Sequence, residues 1–169
     1  MEIQKEFIEQ SIVKLDEYTS KIEQCLLGLE EEEIWLRPNE NSNSIGNLIL
    51  HLQGNITQYI ISSLNQQEDR RERDNEFTTT EGYSKDDLIK MLSSLIAEVK
   101  IIIKKLTDKD LLKVRSVQGF QLSGLAIVLH VVEHYSYHTG QIVFWTKLLK
   151  NKDLGFYKDF DLDQKNIIT

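Results

Sequence analysis

Three of the four histidines fall in one stretch at regular spacing: His130-Val-Val-Glu133-His134-Tyr-Ser-Tyr137-His138-Thr139-Gly140-Gln141. Residues four apart on an α-helix share a face, one turn above the other. His130, His134 and His138 therefore form a stripe two turns long. An adjacent pair can hold one divalent metal ion, since imidazole is a common metal ligand. The outer two cannot both join His134 on one ion, being about 12 Å apart along the axis. One adjacent pair is the candidate, and a third ligand must come from elsewhere. The only other histidine is His51, in a second apolar segment, Ile45 to Leu64, that also reads as a helix. The residues thus describe a two-plus-one histidine site across two helices, and spacing alone allows either adjacent pair. The competing interpretation is a set of core histidines. Such a core is expensive unless each ring nitrogen finds a partner.

Sharper metal motifs are excluded or poorly matched. His134-Tyr-Ser-Tyr137-His138 lacks the Glu of His-Glu-x-x-His. His130-Val-Val-Glu133-His134 matches the inverted form, His-x-x-Glu-His. That class needs a distant downstream Glu as third ligand, and no Glu follows His134. Di-iron carboxylate bundles repeat Glu-x-x-His. The residues three before the histidines are Leu48, Ile127, Val131 and Tyr135, so that site is absent.

Two segments carry a family resemblance. His134-x-x-x-His138-x-Gly140-Gln141-Ile142 lies near the end of the last long helix, and His51 sits in Asn47-Leu-Ile-Leu-His51-Leu52. Together they resemble the DinB-like superfamily. Trp35-Leu-Arg-Pro38, followed by an Asn- and Ser-rich run to Ser44-Ile45-Gly46, resembles that superfamily's approach to its second helix. The resemblance runs from Ile3 to Leu149. It implies an all-α fold: a four-helix bundle, up-down-down-up, with a three-histidine divalent metal site between helices. The ligands it implies are His51, His134 and His138, leaving His130 outside. Many members carry Arg between the last histidine and the Gly-Gln pair. Thr139 stands there in this chain, which weakens the case for an anionic substrate group at that point.

Some members of the superfamily use the ion to activate a low-molecular-weight thiol. The resemblance therefore implies a candidate metal-dependent thiol transferase. The alternative is a non-catalytic, metal-stabilised bundle acting as a binding or regulatory module. Zn and Ni are the foremost metals, and histidine ligation also suits Fe or Cu. No general base stands out. Glu133 is one residue off the stripe, and Tyr137 and Gln141 are supporting candidates only.

Composition bounds the rest. A chain of 169 residues is one domain by length. Its formal charge of −7 argues against nucleic-acid binding, which needs a basic surface. No apolar run reaches ~18 residues, so no membrane span is expected. The N-terminus, Met1-Glu2-Ile3-Gln4, is unlike a signal peptide. A lone Cys25 makes no internal disulfide, which fits a reducing cytoplasm. Cys25 reads as a small buried hydrophobe.

Four segments have helical period. The first runs from Ile3 to Leu29, with apolar residues at Ile8, Ile12, Leu15, Ile22 and Leu26 among others. Glu30 to Glu33 reads as a solvated connection. Ser42 or Ser44 can cap the second helix, Ile45 to Leu64. Asn47 and Asn55 flank His51 by one turn and could orient its ring, although surface or cap chemistry explains them more simply. Asn65 to Tyr83 is a long polar connection whose mixed charges, Glu68 to Asp74, read as solvated; its length is consistent with a crossover. The third helix begins at Ser84, with Leu88, Leu92, Leu95, Val99, Ile102 and Leu106 as its seam. Lys109 to Gln121 is a connection with a turn near Gly119. The fourth helix runs from Leu122 to Lys150. Gly140 within it costs about 1 kcal/mol against Ala, and close approach of another backbone would explain it. Residues 1–150 are expected to form the bundle and 151–169 a tail. The tail's Phe156, Tyr157 and Phe160 would pack on the bundle or on a second subunit, and a homodimer is expected.

Overall fold

The apolar periodicity folds into helices joined by more structure than the connecting sequences announce. In chain order the computed structural model contains α1 (Glu2–Leu27), α2 (Glu31–Ile34), α3 (Ile45–Ile56), α4 (Arg73–Thr78), α5 (Lys85–Lys104) and α6 (Asp108–Leu112). A hairpin of β1 (Val114–Val117) and β2 (Phe120–Ser123) follows, then α7 (Gly124–Lys150). It describes residues 2–167. Met1, Ile168 and Thr169, at the outer ends of the expected bundle and tail, lie outside the described residues.

Four long helices, α1, α3, α5 and α7, pack around one core. α1 lies against α5 and α7, and so does α3. α1 buries Ile8, Ile12, Leu15, Ile22 and Leu26. α5 buries Leu88, Leu92, Leu95, Val99 and Ile102, the seam expected from their four-and-three spacing. Each such side chain, fully buried, contributes about 1.5–3 kcal/mol. Polar contacts fix the helix pairs. Gln4 Nε2 donates to the Leu106 carbonyl, Lys100 pairs with Asp16 and Ser93 donates to Glu23, so α1 and α5 run in opposite senses. Thr19 Oγ1 and Tyr135 OH share a hydrogen bond of 2.8 Å at the α1–α7 contact. Ser44, of the two cap candidates, accepts from the Asn47 N–H and starts α3. Ser84 and Ser123 do the same for α5 and α7. Such a cap is worth about 1 kcal/mol.

The differences from expectation lie in the connections. Glu31–Ile34 is a helical turn with Ile34 buried, and Glu33 pairs with Lys150 at 3.0 Å. α3 passes directly into a π-helical segment, Thr57–Leu64, where a single α-helix to Leu64 was expected. The 109–121 connection contains a small two-stranded sheet. Its two-residue turn puts Gln118 and Gly119 at positive φ (49° and 83°), the backbone that matches hairpin twist. Leu122 and Ser123 belong to β2, so α7 starts two residues later than expected. Gly140 has no neighbour within 4 Å of where a Cβ would sit, so no close backbone approach explains it. In the tail, Leu154 and Phe156 pack on the core, and the Lys21 ammonium lies over the rings of Phe156 and Tyr157. Phe160 stays 69% exposed. No described helix is long and apolar enough to cross a membrane.

Candidate metal centre

The opposed helices α3 and α7 bring three imidazoles together. His51 Nε2 lies 3.2 Å from His134 Nε2, and His138 Nε2 lies 3.1 Å from the same atom. The three ligand atoms all fall within 4.8 Å of one another. Their outer nitrogens decide what the inner ones can do. His51 Nδ1 is 2.8 Å from Glu76 Oε2. Arg71 Nη2 also lies 3.2 Å from this nitrogen, but its shorter bond, 2.9 Å, goes to Glu76 Oε2. An ionised carboxylate only accepts, so the closer Glu76 contact places the proton on Nδ1 and leaves Nε2 free to present a lone pair. His138 Nδ1 likewise donates to Gln141 Oε1 at 2.7 Å, leaving a lone pair on its Nε2. Two lone pairs therefore point at His134 Nε2, whose one possible hydrogen cannot serve both well.

A divalent cation fits this arrangement. Two nitrogens bound tetrahedrally at zinc distances of about 2.0–2.1 Å would sit about 3.3 Å apart. Charge agrees with geometry. Burial, with the surrounding His138, His51 and His130 rings and Arg71, holds His134 down to about 3. Burial also lowers His138 and His130. Neutral imidazole is the form that ligates. His134 Nδ1 is buried and meets no polar partner among the described residues, so, unlike His51 and His138, this ring has no outer hydrogen bond to fix its tautomer.

Behind His51 stands an ion pair from the 65–83 connection. Arg71 donates to Glu76 through Nε (2.7 Å) and Nη2 (2.9 Å), and to Gln58 Oε1 through Nη1 (2.8 Å). The Arg71 and Glu76 side chains are only 4% and 8% exposed. Burial alone would push the Glu76 carboxyl up; hydrogen bonds from Arg71 and His51 outweigh it and hold the group below the usual carboxylate range. Asn47 anchors this strap, donating from Nδ2 to the carbonyls of Glu76 (3.0 Å) and Thr79 (2.6 Å). Gly54 makes room for it. A Cβ there would lie 1.9 Å from Glu76 Oε1. Phe77 packs its ring on His51, centroids 5.0 Å apart.

His130 takes a different place. Its ring stacks on Tyr59 (4.2 Å) and its Nε2 faces Asn55 Nδ2 at 3.4 Å. It lies one turn before His134 and outside the converging group.

A family model described as "Protein of unknown function (DUF1572)" matches residues 2–157. The chain belongs to this DUF1572 family. Solved structures give its fold a broader setting. One similar structure is a DinB-like protein from Bacillus subtilis: 16% identity, TM-score 0.66, covering 85% of this chain and 94% of that one. A conserved protein from Enterococcus faecalis has 16% identity and TM-score 0.69, covering 85% and 97%. A DinB-like protein from Bacillus cereus has 15% identity and TM-score 0.67, covering 84% and 92%. At that identity the likeness speaks for the fold alone, which is DinB-like. No curated protein matches the chain.

In this DUF1572 chain the structure gathers His51, His134 and His138 and brings Gln141 to His138. Tyr137 only edges His138 and is 64% exposed, and Glu133 is exposed. Asn47 completes the capping box begun by Ser44, the cap chemistry expected of it, but Asn47 and Asn55 are both buried, not at the surface. Sequence reasoning missed Arg71 and Glu76, reading the first as part of a solvated charge run and the second only as part of the polar connection that contains it. The signal that could have found them is Phe77, an aromatic in a polar run, which marks the segment as returning to the core.

Proposed function

We propose that His51, His134 and His138 hold one divalent ion, Zn or Ni foremost, and that the protein uses it as a transferase acting through a low-molecular-weight thiol. The observation that carries the first half is the convergence of three Nε2 atoms, two of them fixed as lone pairs by Glu76 and Gln141. The thiol half rests on the DinB-like resemblance. An ion held by three neutral imidazoles keeps its full charge and an open position, and lowers the pKa of a thiol beside it. The chain's own part is to bury His134 and His138 so that their rings stay neutral, to fix the tautomers of His51 and His138 through Glu76 and Gln141, and to pack Phe77 against the His51 ring. The test is thiol transfer to an electrophile, followed with and without chelator; activity that survives full metal removal contradicts the reading.

A second reading is favoured by Glu76. It is the carboxylate facing the site, and it is engaged by both Arg71 and His51. It is therefore a poor base. A non-catalytic bundle whose ion adds stability, serving as a binding or regulatory module, follows from that. Metal-bound protein that is inert towards thiols and electrophiles would favour it.

The surrounding assignments belong to the same proposal. Thr19 meets Tyr135 and Cys25 meets Thr146, so α1 and α7 run in the same sense. With α5 opposed to α1 and α3 to α7, this supports an up-down-down-up order, and we take 1–150 as one bundle and 151–169 as its tail. A homodimer and a cytoplasmic setting complete it, the latter on the strength of the buried, unbridged Cys25.

A further inference from the structure

A cavity of about 440 Å³ opens beside the histidine layer. α3 and α7 run in opposite senses, so the layer of His51 and His138 is followed by one of Leu48 and Gln141. One turn is about 5.4 Å. Leu48 and Gln141 line the cavity, and Gln141 is also the residue that holds His138 Nδ1. Pro38, Phe144, Trp145 and Leu148 complete its apolar walls. Trp145 is fixed by donating from Nε1 to the Leu36 carbonyl. The 41–43 segment forms a polar lip, ordered by Asn39 Oδ1, which accepts from the Asn41 N–H and the Ser42 hydroxyl.

The charge pattern separates this cavity from its neighbour. Although 28% of the chain is charged, none of the residues lining it is. A second cavity of about 410 Å³, behind Glu76, is lined by Glu68, Arg70, Arg71 and Glu72. The uncharged cavity has the size of a small-ligand site, about 300–1,000 Å³. An ion entering it would shed hydration and find no counter-charge.

We infer that the uncharged cavity binds a neutral, largely apolar second substrate, the electrophile that accepts the thiol sulfur. Its polar edge lies on Gln141 and the 41–43 lip, and its apolar body between Leu48 and Phe144. This inference rests on the thiol-transfer reading above. In the step itself a C–S bond forms as the bond from that carbon to its leaving group breaks. The leaving group departs with the bonding pair, and the thiol proton passes to solvent. Phe144 and Leu148 are 69% and 60% exposed, as walls that a ligand completes.

The test is equilibrium dialysis of naphthol, a neutral aromatic, and of naphthalenesulfonate, its anionic counterpart, against the full chain, zinc-loaded and chelator-treated. Naphthol should bind at least about tenfold tighter than the sulfonate in both forms, a difference of about 1.4 kcal/mol. Phe144→Asp and Leu148→Asp, at exposed positions that tolerate charge, should each remove that binding, while Leu129→Asp, exposed elsewhere on α7, should leave it unchanged. In cobalt-loaded protein, naphthol resonances should broaden, because the cavity adjoins the ligand layer. Equal binding of the two probes, retention in both aspartate variants, or absence of broadening overturns the inference. So does a wild type that ignores naphthol and is a dimer that Phe144→Asp dissociates, which would assign this face to a second copy. Failure of the wild type to bind zinc or cobalt contradicts the metal reading, and the chelator-treated arm reports the cavity independently.

Discussion

Two of the three converging histidines have their outer nitrogen engaged: His51 by Glu76 and His138 by Gln141. Such partners fix the tautomer and raise ligand basicity. Glu76→Gln should therefore weaken zinc binding about 10–100-fold, read by competition with a chromophoric chelator; undiminished affinity would show that the carboxylate does not act through His51. It also leaves Arg71 buried without its counter-charge, and breaking such a pair costs about 3–5 kcal/mol. The pH response follows from the lowered histidines. In the metal-free protein the folded state holds His134 at about 3 and lowers His130 and His138, whereas the unfolded chain titrates them near ~6.5. Below ~6.5 the unfolded state binds more protons, so stability is full above that pH and is lost as pH falls towards the folded values. Thermal unfolding of chelated protein should show a melting temperature that drops steadily from pH 7 to pH 5. A flat profile contradicts the burial of neutral imidazoles.

Among the elements, the strap at 65–83 decides how well the site is held, and two glycines separate fit from propensity. Gly54→Ala would put a methyl carbon against Glu76 and displace the ion pair. Overpacking of this kind costs about 1–3 kcal/mol. Gly140→Ala meets nothing within 4 Å and should gain about 0.5–1 kcal/mol from helix propensity. Urea unfolding of the two variants checks both signs. The same contrast shows what could be read from sequence. The long helices were legible because residues such as Leu88, Leu92 and Leu95 repeat at helical spacing and pack without special partners. The strap was not. Arg71 lies in a run of mixed charges that looks solvated and Glu76 just beyond it in the same polar connection, and nothing local reports that they reach Gln58 on the π-helical segment and His51 on α3. The hairpin at 114–123 was hidden for a related reason: four-residue strands carry too little alternation to be distinguished from a loop.

At the scale of the whole molecule, the histidines were legible as residues and ambiguous as a set. Spacing offered His130 with His134 as readily as His134 with His138. Resemblance chose the latter pair, and packing brings it to His51, because His130 is turned onto Tyr59 and Asn55. The central claim is that this convergence is a metal site, and metal content of the purified protein tests it most directly. Elemental analysis of wild type after zinc loading and desalting should give one ion per chain. His51→Ala, His134→Ala and His138→Ala should each abolish retention, and His130→Ala should keep it. A wild type that retains no zinc or nickel at micromolar concentration, or a His130→Ala protein that loses the ion while His138→Ala keeps it, contradicts the account.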